Sequence, residues 1–81
     1  MQSSLLSEIV VTHIPTGDEV GSTESVPAAI TLARNDSKRR YRHHCALFEY
    51  QLTARDLTQP NKQLWSVAAD EAFLETLKEV V

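Results

Sequence analysis

Residues 41–53 read YRHHCALFEYQLT, and the alternation in the second half of that stretch decides the fold. In an extended chain Ala46, Phe48, Tyr50 and Leu52 share one side, while Cys45, Leu47, Glu49 and Gln51 share the other. The first side is apolar enough to face a layer of helices, so the segment reads as a strand with one face on a core. After it, the turn residues DLTQPN (56–61) lead to KQLWSVA (62–68), a second strand with Trp65 and Val67 on one side. The connection is long for a tight hairpin but ordinary for adjacent antiparallel strands.

Working back toward the N-terminus, residues 6–14 (LSEIVVTHI) are rich in β-branched side chains and read as another strand. Val10, Thr12 and Ile14 share one face; Ile9, Val11 and His13 share the other. Pro15-Thr16-Gly17-Asp18 reads as a turn, and residues 19–22 as a brief returning edge strand. Ser25 then supplies a helix N-cap, with Pro27 in the first turn, where its missing N–H costs nothing. Val26, Ala29, Ile30 and Ala33 recur at helical spacing, which predicts a helix over about 26–35. Asn35-Asp36-Ser37, which favour local side-chain bonding over helix, are expected to end it.

The last helix opens at or near Asp70. Its apolar stripe is Phe73, Leu74, Leu77, Val80 and Val81, and Asp70, Glu71, Glu75 and Glu79 form an acidic exterior relieved by Lys78. The order β(β)αββα predicts an α+β domain spanning residues 1–81. It has a three- or four-stranded, mostly antiparallel sheet with two helices on one face.

Eighty-one residues allow one core, which buries roughly 60–65% of the surface the unfolded chain exposes. A hydrophobic fraction of 42% with 23% charged residues belongs to a folded domain, not a disordered one. Cys45 is the sole cysteine, so no intramolecular disulfide forms and a reducing setting is expected. The opening MQSSLLSEIVVTHIP has no basic leader, and no apolar run approaches the length of a membrane span. A cytoplasmic protein without membrane attachment is the expectation.

Charge is unevenly spread. Five of the eight cationic residues (Arg34, Lys38, Arg39, Arg40 and Arg42) fall within nine positions, with Tyr41 among them and His43-His44 following. With Asp36 counted, residues 34–44 carry +4 and the remainder −7, giving the total of −3. One reading is an anion site, with Lys and Arg against phosphates and Tyr41 stacked on a base. The plainer reading is a solvated loop whose charges steer encounters and maintain solubility. If the long strand began at Lys38, then Lys38, Arg40, Arg42 and His44 would share parity with the core face, and unpaired arginines do not continue into a core. The cluster is therefore expected to gather at one end of the sheet.

Other chemistry is weakly signalled. His43 and Cys45 share parity, and His13 is a conceivable third ligand, but no CxxC or HxxxH spacing supports a metal. A cysteine nucleophile lacks a partner, because His44 is adjacent and points to the opposite face. No glycine-rich phosphate cradle is present, and the Asp70-Glu71 pair is explained as helix-start residues. No cofactor and no catalysis are expected.

These residues describe a small non-catalytic interaction module that regulates or inhibits a larger protein or nucleoprotein. In scale alone it is comparable to phage- or plasmid-encoded inhibitors such as anti-CRISPR and anti-restriction proteins. The partner-binding set is Lys38, Arg39, Arg40, Tyr41, Arg42, His43 and Trp65. Trp65 is expected in the core, or as an apolar anchor if it faces away from the helices. The alternative is direct contact with RNA or single strands through residues 38–44. The acidic remainder of the chain counts against it. A homodimer through an exposed strand edge is compatible with the first reading.

Overall fold

Two antiparallel hairpins alternate with two helices along the chain. A computed structural model describes residues 7–42, 46–59 and 62–80, with residues 79 and 80 described by their backbone alone. The elements are β1 (Ser7–His13), β2 (Asp18–Thr23), α1 (Val26–Tyr41), β3 (Tyr50–Asp56), β4 (Gln63–Ala68) and α2 (Ala69–Val80), with a single 3-10 turn over Leu47–Glu49 before β3. The sheet is antiparallel throughout, in the order β2-β1-β3-β4. This is the α+β architecture expected from the strand and helix periodicities, with both helices against one face.

Register assigns the faces. Val11 lies opposite Leu52, His13 opposite Tyr50, and Leu52 in turn opposite Val67. Paired residues of antiparallel strands share a face, so these side chains line the helix side. Ile9, Val11, Tyr50 and Leu52 pack there with Ala29, Ile30 and Ala33 of α1 and Ala69 and Ala72 of α2. The outer face is a polar ladder in which Gln51 donates to Ser66 at 2.6 Å and Thr53 bonds Ser66 at 3.1 Å. The alanines on both helices replace bulk with close approach, and the core is correspondingly thin. Glycine matters at two points: Gly17 takes φ +76° in the β1–β2 turn, and a side chain at Gly21 would meet Leu32 at 3.3 Å, where β2 lies under α1.

Three expectations change. Helix α1 does not stop at Asn35 but runs through Tyr41, so Lys38, Arg39, Arg40 and Tyr41 are helical. Asp36 and Ser37 are buried and bonded to distant groups, which offsets their weak helix propensity, and the Lys-Arg-Arg run favours helix and suits the negative end of its dipole. The strand beginning at residue 41 is replaced by the 3-10 turn and a strand from Tyr50, so the alternation fails at Phe48, which is 65% exposed. In α2 the inward stripe is Ala69, Ala72, Phe73 and Thr76; Phe73 keeps its expected place, Leu74 and Leu77 are exposed instead, and the side chains of Val80 and Val81 lie outside the described residues.

Candidate interaction surfaces

The turn end of the sheet holds a polar network built by α1, β1 and the segment before β3. Asp36, buried on α1, accepts from Tyr50 Oη at 2.6 Å and Arg40 Nε at 2.5 Å, and it also pairs with Arg39. Arg40 reaches across to Asp18 of β2 at 3.4 Å. Burial pushes the Asp36 carboxyl up, but the hydrogen bonds from Tyr50, Arg40 and Arg39 together outweigh it and hold its pKa at about 2. Burial, followed by the bond to this carboxylate, raises Tyr50. Ser37 accepts the backbone N–H of Ala46 at 2.7 Å, tying the chain after the helix back onto it.

Beside this lies His13, buried and in ring contact with Tyr50 at 4.9 Å. Its Nδ1 is 2.9 Å from Thr16 Oγ1, and its Nε2 is 3.1 Å from Tyr41 Oη and 3.2 Å from Glu49 Oε1. A carboxylate can only accept, so the Nε2 side of the ring donates toward Glu49. Tyr41 also donates to Glu49, and that bond raises the phenol above its usual range. Every buried side-chain polar atom among the described residues has a partner. A network this complete locks the end of α1 to the sheet.

The expected partner-binding residues therefore divide. Arg39 and Arg40 are shared with Asp36, and Tyr41 turns inward to Glu49 and His13, so it is not a free stacking platform. Lys38 is exposed one turn beyond exposed Arg34, and exposed Arg42 is the C-cap. These three have no carboxylate partner among the described residues. Arg42 also adopts φ +61°, a conformation costly for a side chain of its kind. His43 lies outside the described residues, as does the His43–Cys45 metal pairing, and His13 is committed to the network above. Among the described residues no three His, Cys, Asp or Glu side chains are arranged to hold a metal.

Trp65 is paired with Ala54, on the helix side of the sheet but at the end away from His13 and Tyr50. It is 40% exposed, so the core position expected for it is not realised. The structure does not bring it near the basic residues.

Two surfaces that the alternation pattern did not reveal are open. Phe48 stands beside Arg34 at a depression of about 330 Å³ whose other walls are Leu47, Phe73 and Asp70. Around α2, Leu74 and Leu77 are 56% and 47% exposed and line a groove of about 550 Å³ with Val67, Glu71, Glu75 and Lys78. No helix among the described residues is long and apolar enough to cross a membrane. No family model matches the chain, and no curated protein or solved structure matches it either.

Proposed function

We propose that the protein is a non-catalytic interaction module that regulates or inhibits a larger partner by docking on an acidic protein surface. The observation that supports it most directly is Phe48, 65% exposed beside Arg34. An exposed aromatic next to an arginine is the composition of an interface hot spot, the ring supplying buried area and the guanidinium a directional charge. Lys38 and Arg42 continue the positive strip along α1, while Arg39 and Arg40 are partly neutralised by Asp36. The strip thus orients an encounter and Phe48 anchors it. A reducing, cytoplasmic setting fits a chain with one cysteine.

Capture of the partner from host extract by the tagged chain tests this reading. A Phe48→Ala, Arg34→Glu, Lys38→Glu triple variant should lose the partner while keeping the far-UV dichroism of the parent. Undiminished capture would remove this surface from the function. The same protein titrated with RNA or single-stranded DNA separates the alternative. Three phosphate contacts by Arg34, Lys38 and Arg42 predict a log–log salt slope of about −2. Binding with that slope would put nucleic acid in place of a protein partner.

A further inference from the structure

We infer that the wall formed by β4 and the outer side of α2 pairs with a second copy of this chain across a two-fold axis. This concerns a different surface from Phe48 and does not depend on the function proposed above. The first observation is the contrast between the sheet's two edges. Edge strand β2 carries Asp18 and Glu19 and lies under α1, the kind of charge and cover that protects an edge. Edge strand β4 has no charged residue from Gln63 to Ala68, and its exposed positions include Leu64 at 46% and Trp65 at 40%. A register shift beside Leu64 leaves Trp65 to Ala68 as its regular stretch, long enough to pair.

The second observation is the order of side chains on α2. Glu71, Leu74, Glu75 and Lys78 are spaced at 3, 4 and 7 residues, so they form one stripe, with Leu77 beside it. The stripe begins on an acid, Glu71, and ends on a base, Lys78, with Leu74 and Leu77 flanking a second acid, Glu75, at its centre. Turned antiparallel about a point between Leu74 and Leu77, it complements itself. The leucines meet leucines, and each Glu71 comes within reach of the Lys78 of the second copy. The central Glu75 is already paired with Lys78 of its own chain at 3.5 Å, which moderates the repulsion between the two copies of Glu75 at the axis. Only an isologous contact uses one pattern twice in this way.

The third observation is continuity. Val67 of β4 lines the groove that holds Leu74 and Leu77, so strand edge and helix stripe belong to one wall. Edge pairing would extend four strands to eight and set the two α2 helices side by side on one face.

Sedimentation equilibrium of the 81-residue chain between about 1 and 200 µM should show mass rising from 9.1 kDa to twice that value. Trp65 is the only tryptophan, and its emission should move to shorter wavelength over the same concentrations. Leu77→Glu should raise the dimer dissociation constant about tenfold or more and remove the emission shift. Lys78→Glu alone should weaken the dimer, and adding Glu71→Lys should restore it to within about threefold of the parent. The charge-swapped pair removes no apolar side chain, so it remains a readout if Leu77→Glu loses its helical dichroism. A chain that stays at 9.1 kDa throughout overturns the proposal and leaves the wall to a different protein. A dimer indifferent to Leu77→Glu, or a double swap that fails to restore it, also overturns it.

Discussion

The two ends of the helical layer solve the same problem in opposite ways. Where α1 ends, each buried polar group is met from within the chain: Asp36 by Tyr50 and two arginines, Ser37 by Ala46, and His13 by Thr16, Tyr41 and Glu49. Where α2 passes β4, Leu74, Leu77, Leu64 and Trp65 remain half in water. The first end satisfies its buried polar groups within the monomer and leaves Phe48 open beside them; the second carries a wider apolar surface that a partner would cover. The difference teaches that the basic residues, conspicuous in charge alone, are divided between structure and display. Arg39 and Arg40 hold the fold together, and Arg34, Lys38 and Arg42 face solvent.

Breaking the finished end should have the largest effect on stability. Asp36→Ala removes the acceptor of Tyr50, Arg39 and Arg40 together and should cost about 3 kcal/mol in a urea melt. It should leave self-association unchanged wherever the variant is folded. A loss below about 1 kcal/mol would mean that the network is ornamental and that α1 is held by its alanine face alone. Acid offers the second, smaller probe. The Asp36 pKa falls from an ordinary 3.8 in the unfolded chain to about 2 in the folded one, so the folded form prefers the ionised carboxyl. Its contribution is complete above about pH 4 and disappears as the pH drops through about 2, a loss of about 2 kcal/mol. The Asp36→Ala protein should lack this component, and identical acid profiles for the two proteins would reject the assignment.

What could be seen from residues alone follows from how local each signal is. The hairpins and the helix openings were legible because alternation in residues 9–13 and the Ser25-Val26-Pro27 cap act over a few positions, and here Ala28 N–H does donate to Ser25 Oγ at 3.3 Å. The end of α1 was not, because Asn35-Asp36-Ser37 look like a stop until Tyr50, fourteen residues beyond Asp36, and Ala46, nine beyond Ser37, are brought to them. One signal was nonetheless present: an acid three and four residues before two arginines is a helix pattern, and Asp36 forms both pairs. The polarity of α2 misled for a different reason. An apolar stripe does not say whether it meets its own core or another surface, and the alanines at 69 and 72 took the inward place because they let α2 lie close to the sheet and α1. Phe48 failed for want of any local sign that a 3-10 turn would interrupt the alternation.

The smallest expected effect sharpens the contrast most. Leu77 is half exposed, so Leu77→Glu should change the unfolding free energy of a dilute, monomeric chain by less than about 0.5 kcal/mol. At high protein concentration the parent should gain stability by mass action, because only the folded chain presents a continuous β4–α2 wall, whereas the variant should not. Urea midpoints measured at two concentrations a hundredfold apart therefore separate the two ends. Asp36→Ala lowers both midpoints and keeps their spacing, while Leu77→Glu leaves the dilute midpoint in place and closes the spacing. A Leu77→Glu chain that is already destabilised when dilute would show that this leucine belongs to the monomer's core, and the contrast between a finished end and an open wall would fail there.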